Sequence, residues 1–263
     1  MDSGGNYITS IIEETKKSGE LAKVFNNNDV FYVVMNSGDN TFNNDFVQAL
    51  EKAYGSVHDS GDLTGCAMVT LSTNPKIFSN GMDLVNIPSP DELGELFKKC
   101  GVLLGKLLAS GMPTIAMING HAFAAGLYFA LCHDYLIMRD DRGYLCFNEN
   151  QFGAPVNKYN AVLATSKIGK RNYHEMYLHF IKVSAQEAVK RGIVHLTAGP
   201  KEINQVTQDY AEKVQNYNTD SKTFAMTKND IYQDAIHSLT VDQGINGYAI
   251  EKIFAYKAMI AKM

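Results

Sequence analysis

Ala124-Ala125-Gly126 and Glu149 are the residues whose types and order suggest chemistry. They share one stretch, Asn119 to Gly153, in which a turn, a small-residue segment, an apolar helix and two short strands lead to a carboxylate. The three small residues let a ligand approach the main chain, and the apolar run Leu127 to Leu131 behind them reads as a buried helix start. A helix start presents backbone N–H groups without intrahelical partners and favours negative charge. A carbonyl oxygen resting there would find donors in place for charge developing on it. Glu149 is then the proton carrier. The same residues also suit a tightly packed helix start followed by a solvated loop, so the reading depends on the rest of the chain.

The elements that must position these residues alternate. After a polar N-terminal segment with room for one more strand or helix, Val30 to Met35 reads as a strand. Phe46, Val47, Leu50, Ala53 and Tyr54 then recur at helical spacing. Cys66 to Leu71 is a second strand, Ile77-Phe78 a short edge piece, and a helix from Asp91 carries Leu93, Leu96, Phe97, Cys100, Leu103, Leu104 and Leu107. Pro113 opens a third round, with Thr114 to Ile118 as strand, Ala122 to Leu131 as helix, and Tyr135 to Met138 and Tyr144 to Phe147 as strands. Fully apolar strands alternating with helices predict an α/β fold whose mostly parallel sheet is covered on both faces.

Past Pro155 the pattern turns helical. Tyr159 to Ile168 and Asn172 to Ile181 have helical character, Ser184 to Glu187 is a capping box for a helix that Gly192 ends, and Val194 to Leu196 is a brief strand. Three further helical segments, near 202–216, 221–237 and 247–261, either cover the core or join subunits. The expected division is a core over 1–200 and a helical region over 201–263.

Composition narrows the function classes. With 263 residues, 45% of them hydrophobic and 20% charged, the chain has ample material for a large core. A net charge of -4 and the absence of a basic run argue against nucleic acid as a partner. Cys66, Cys100, Cys132 and Cys146 lie far apart in apolar contexts and read as reduced core thiols. His174 and His179 are five apart, where a helical zinc pair needs four, so no metal site is expected. His121 and His133 read as packed histidines beside the proposed site. No phosphate-binding glycine motif is present, so no nucleotide cofactor is expected either. No apolar run is long enough to span a bilayer. Ala261-Lys262-Met263 is similar to the Ser-Lys-Leu peroxisomal address, which sets a peroxisomal location against the alternative of the cytoplasm.

Two loops and a helix, in order, resemble the crotonase (enoyl-CoA hydratase/isomerase) superfamily. Lys76-Ile-Phe-Ser-Asn-Gly-Met-Asp-Leu84 is similar to that family's F-x-x-G-x-D-L/I loop. Pro113 to Gly126 is similar to its P-x-I-A-x-x-x-G-x-A-x-G-G-G segment, and Ser184 to Val194 to its S-A-x-E-A helix. The resemblance implies a spiral of β-β-α units, a helical C-terminal trimerisation region giving a trimer or dimer of trimers, and acyl-CoA thioesters as substrate, with no separate cofactor. It also implies an oxyanion hole from the backbone N–H groups of Met82 and Ala125. Lys76, Ser79, Asn80, Gly81, Asp83, Gly126, Tyr128 and Phe152 are implied around the substrate and its CoA.

The departures from the family pattern bear on the reaction. The family's hydratases use two glutamates, and here the first position is Tyr128 while the second is Glu149. Asn148-Glu-Asn-Gln-Phe-Gly153 is similar to the N-E-T-Q-L-G stretch of Δ3,Δ2-enoyl-CoA isomerases. The resemblance therefore implies an isomerase that moves a double bond from C3 to C2 with Glu149 as sole proton shuttle, its pKa raised by Phe147 and Phe152. Other crotonase-type reactions (hydration, decarboxylation, thioester hydrolysis) and a silent acyl-CoA binder stand as the alternatives.

Overall fold

The computed structural model describes residues 4–241 and 247–260, apart from the side chains of residues 4–6, Phe152 and Ile260. The N-terminal segment holds both a helix and a strand, α1 (Gly4–Ser18) and β1 (Ala22–Asn27). Four rounds of long strand, short strand and helix follow. The first is β2 (Val30–Met35), β3 (Thr41–Phe42) and α2 (Asn44–His58), and the second is β4 (Ala67–Ser72), β5 (Ile77–Ser79), β6 (Gly81–Met82) and α3 (Pro90–Leu108). The third is β7 (Thr114–Ile118), β8 (His121–Phe123) and α4 (Ala125–Leu131). The fourth is β9 (Tyr135–Arg139), β10 (Leu145–Cys146), a 3-10 turn over Glu149–Phe152 and α5 (Lys158–Leu178). This is the expected α/β spiral of β-β-α units. Beyond it lie α6 (Ala185–Lys190), β11 (Leu196–Ala198), α7 (Ile203–Gln215), α8 (Ser221–Ile231), α9 (Gln233–Thr240) and α10 (Gly247–Ile260).

The long strands form one six-stranded sheet in the order β1-β2-β4-β7-β9-β11. Only β1 and β2 run antiparallel within it; the other neighbours are parallel. Because successive side chains leave a strand on opposite faces, an apolar run must be covered on both. Phe31, Val33 and Met35 of β2 pack with the core of α2, α3, α4, α5 and α9, whereas Val30, Tyr32 and Val34 pack with Ile8 and Ile11 of α1 and Ile203, Ala211 and Val214 of α7. The helix α1 is thus one half of the sheet's second cover. The short strands pair among themselves, β10-β8-β5 and β3-β6, and carry the loops toward the site.

Two expected elements differ, and a third holds. Residues 122–131 were expected to be one helix, but His121–Phe123 is a strand held between β5 and β10, and α4 starts only at Ala125. Pairing on both sides overrides the weak helical preference of a three-residue segment. The two helical stretches after Pro155 run either side of Gly169, whose φ of 76° breaks the helix between them. The segment expected over 221–237 is split at Tyr232, where the Lys167 ammonium lies 4.7 Å over the ring and 3.2 Å from the hydroxyl. Of the capping box, the Ser184 side chain does accept from Glu187 N, while the Glu187 carboxylate turns to Arg191 instead.

Beside the apolar packing of α7, α8 is tied to the sheet by a largely buried ion pair. Asp134 Oδ2 accepts from Thr114 N and Thr114 Oγ1, both at 2.9 Å, and from Lys228 Nζ of α8 at 2.7 Å. Lys228 is 5% exposed, and burial lowers its pKa while Asp134 opposes that. Removing one partner of a buried pair leaves the other charge uncompensated, which costs about 3 kcal/mol or more. Lys228→Met is therefore expected to lower stability to urea by that order, and an unchanged midpoint would show that α8 is not held by this pair.

Candidate active site

The site is built where the β5–β6 loop meets the start of α4. Gly81 has φ of 84°, and a Cβ there would lie 3.0 Å from Phe123 O and 3.1 Å from Ala125 N. A Cβ on Gly126 would lie 2.4 Å from Ser79 O. Glycine at both positions lets the two main chains touch, which brings Met82 of β6 and Ala125 of α4 onto one wall. Ala124 between them holds φ of 48° and ψ of -124°, an uncommon backbone for a residue with a Cβ, costing on the order of 1–3 kcal/mol. Its N–H donates to Cys146 O at 2.9 Å, anchoring the turn to β10. The first bonds of α4 run from Leu127 N and Tyr128 N to Ala124 O, so Ala125 N precedes the helical ladder.

Met82, Ala125 and Glu149 line one cavity of about 720 Å³. Thr41, Asn80 and Asp83 line it near the loop; Leu84, Phe97 of α3, Val156 and, from α10, Ala249, Ile253 and Tyr256 give it apolar walls. α10 thus covers the site. Its Lys257 Nζ donates to Ile87 O, tying the helix to the segment before α3.

Glu149 opens the 3-10 turn after β10. The residue keeps part of its surface toward the cavity, but Oε2 is buried and has no hydrogen-bond partner among the described residues. Burial pushes its pKa up to about 7, against the opposing pull of main-chain hydrogen bonds at Glu149 and Asn148. An aromatic cluster lies behind it. The Tyr128 ring lies 4.6 Å from Phe147 at a tilt of 35°, Phe147 lies 5.1 Å from Tyr173, and the Tyr128 and Tyr173 hydroxyls are 2.8 Å apart. Burial, and then the Glu149 charge, hold the Tyr128 hydroxyl well above the usual phenol range. Tyr128 is thus a protonated hydrogen-bonding group and not a base.

Of the residues expected around a substrate, Asn80, Met82, Asp83, Ala125 and Glu149 line the cavity. Asp83 also accepts from Asn86 N and Nδ2, closing a turn. Tyr128 is a correction: it is 1% exposed and lies in the core, because its helix face turns toward α5. Ser79 is fully buried and braces the loop, donating from Oγ to Asn40 O at 2.7 Å and accepting from Gly81 N. Gly81 and Gly126 shape the wall from behind. Lys76 is exposed and is not among the lining residues; its carbonyl accepts from His121 N. The Phe152 side chain lies outside the described residues. His121 stacks on Tyr144, and His133 is buried with Nε2 2.8 Å from Thr70 Oγ1, so both are packed histidines. Among the described residues, no cluster of three or more potential ligands stands ready for a metal. Asn148, Asn157, Asn160 and the α10 residues also line the cavity. The spacing of Ala249, Ile253 and Tyr256 on one helical face was the available signal for α10.

A family model described as enoyl-CoA hydratase/isomerase matches residues 26–257. The chain belongs to the enoyl-CoA hydratase/isomerase family. Within it, enoyl-CoA delta isomerase 3 of Arabidopsis thaliana is 40% identical over 140 residues, 51% of this chain and 58% of that protein. Peroxisomal enoyl-CoA delta isomerase 2 of the same plant is 38% identical over 142 residues, 51% of this chain and 59% of that protein. The matched region thus spans somewhat over half the length of these curated relatives. Peroxisomal enoyl-CoA delta isomerase 1 is 32% identical over 164 residues, 62% of this chain and 68% of that protein. An enoyl-CoA isomerase structure from Mycobacterium tuberculosis superposes with a TM-score of 0.76 at 20% identity, over 90% of this chain and 98% of that one, which establishes the crotonase fold.

The raised Glu149 carboxyl has a thermodynamic signature. A carboxyl whose folded pKa lies above its unfolded value makes the native state bind more protons between the two, so stability falls as pH rises from about 4.5 to about 7. Glu149→Gln abolishes that titration. The variant is expected to gain on the order of 1–3 kcal/mol over the wild type at pH 8 and little at pH 4, measured by thermal unfolding across pH. A difference independent of pH would show that Glu149 is not desolvated.

Proposed function

We propose that this protein is a Δ3,Δ2-enoyl-CoA isomerase of unsaturated fatty acid β-oxidation, with Glu149 as the only proton shuttle. The observation that carries the reading is Glu149 lining the same cavity as Met82 and Ala125, its Oε2 buried without a partner among the described residues, with a tyrosine where a hydratase has its other glutamate. The names of the three Arabidopsis relatives support it.

The thioester oxygen of a 3-enoyl-CoA is held by the N–H groups of Met82 and Ala125. Glu149 takes a proton from C2, and the C–H electron pair becomes the dienolate, whose negative charge rests on the held oxygen. The protonated Glu149 then delivers the same proton to C4. The C3–C4 double bond closes between C2 and C3, the thioester carbonyl re-forms and Glu149 is a carboxylate again. A donor in such a hole is worth on the order of 3 kcal/mol. A base with pKa near 7 suits this exchange, because it must both accept and return a proton without a strong bias.

The same reading puts the chain in peroxisomes, supported by the names of two relatives. It also makes the protein a trimer or a dimer of trimers through residues 201–263, where exposed Met226 and Ile231 suit burial against another copy.

The test supplies purified wild type and Glu149→Gln with 3-enoyl-CoA and 2-enoyl-CoA in separate assays. The wild type is expected to form conjugated product with little hydration, and the variant to lose roughly 10³-fold in kcat while retaining CoA-ester binding. Wild-type kcat/KM should rise with pH to a plateau, its half-point near 7, because only the carboxylate accepts the C2 proton. Efficient hydration of 2-enoyl-CoA by the wild type overturns the reading, as does an active Glu149→Gln.

A further inference from the structure

A fully buried asparagine outside the cavity holds the main chain on which Met82 sits. Asn40 ends the turn before β3 with φ of 50°, a left-handed backbone that asparagine tolerates better than most residues with a Cβ. It is 0% exposed, and both ends of its amide are bonded. Oδ1 accepts from Ser37 N at 2.9 Å, while Nδ2 donates to Ser72 Oγ at 2.7 Å and to Phe78 O at 2.9 Å. One side chain thus joins its own turn to the end of β4 and to β5. The Ser72 hydroxyl extends the network by donating to Ile77 O at 2.9 Å.

Two links run from Asn40 to Met82. The Asn40 carbonyl accepts from Ser79 Oγ at 2.7 Å, and the same hydroxyl oxygen accepts from Gly81 N at 3.2 Å, so the residue before Met82 hangs on one hydroxyl. β3, which begins directly after Asn40, pairs in parallel with β6, Thr41 opposite Gly81 and Phe42 opposite Met82. Asp83 N donates to Phe42 O at 3.0 Å. Successive N–H groups of a strand point to opposite sides, so this bond turns the Met82 N–H away from β3. Ser79 also abuts the segment of the other donor, since a Cβ on Gly126 would lie 2.7 Å from its Oγ. Neither Asn40 nor Ser79 lines the cavity, so both act on it only through the main chain they hold. A buried polar network whose members are paired is rigid.

We infer that Asn40 is a positioning residue for the oxyanion hole: through Ser79 and through β3 it fixes the direction of the Met82 N–H. Donors of this kind act because they are aligned in advance with the place where charge develops. Loosening the peptide therefore costs rate, while the contacts that bind the rest of the substrate stay as they are. The inference rests on Met82 and Ala125 as the oxyanion donors and not on Glu149 as the proton shuttle.

The test uses Asn40→Gly, which keeps the left-handed turn and the carbonyl while removing the amide, and Ser79→Ala, which removes only the hydroxyl link. Each is assayed for turnover of 3-enoyl-CoA, and the C=O stretch of a bound saturated acyl-CoA, isotope-labelled at the thioester carbon, is read by difference infrared spectroscopy. In the wild type the bound carbonyl is expected to absorb at lower frequency than in water, because the two donors polarise it. Both variants are expected to lose part of that shift, with kcat down about 10- to 100-fold and KM changed less than about twofold. The frequency belongs to each bound molecule, so a variant that is merely less stable keeps the full shift. The full shift in either variant overturns the inference, as does an unchanged kcat in either; should only one of them fold, that one decides. A reduced shift in the variants without wild-type turnover of 3-enoyl-CoA would sink the isomerase reading and leave the positioning role standing. No shift in the wild type would remove the oxyanion hole and this inference with it.

Discussion

The contact of main chain on main chain between the β5–β6 loop and the start of α4 is the constraint on which the site depends. It requires no side chain at Gly81 or Gly126, since a Cβ at either would meet backbone at 3.0 Å or less. It also fixes the strained Ala124 turn, tied to β10 through Cys146 O. Short strands carry these loops out from the large sheet, which is rigid because both of its faces are packed against helices. The fold thereby holds peptide N–H groups at one place in space without using a titratable side chain to do so.

Against that wall stands a carboxyl in an unfavourable environment. The Glu149 Oε2 atom has lost water and gained no hydrogen-bond donor in return, and the cluster of Tyr128, Phe147 and Tyr173 behind it keeps the local dielectric low. Such a group destabilises the fold when ionised, and the same desolvation makes it a stronger base than an exposed glutamate. Stability and basicity are opposite faces of one physical fact. α10 contributes Ala249, Ile253 and Tyr256 to the wall of the same cavity.

The large sheet was legible because a strand buried on both faces leaves a continuous apolar run, as Val30 to Met35 and Thr114 to Ile118 do. The short strand His121–Phe123 was not, since three residues carry too little periodicity to outweigh the small residues after them. Glu149, Met82 and Ala125 could be singled out from motif and spacing, and they meet in one cavity. Tyr128 was placed in the wall by its alignment with a hydratase carboxylate, but a helix position fixes the direction of a side chain only once its packing partner, here Tyr173, is known. Asn157 was invisible for a different reason: asparagine before a helix reads as an ordinary cap, and only the structure shows that it does not cap.

The central claim is that one carboxyl, shielded from water, moves a single proton between two carbons. It is tested most directly by supplying 3-enoyl-CoA deuterated at C2 in ordinary water and locating the label in the product by NMR after less than one exchange lifetime. A desolvated single-base shuttle predicts that a substantial fraction of the deuterium appears at C4. Product with only solvent protons at C4, at every extent of conversion, would contradict it and require a second group or a water molecule to deliver the proton.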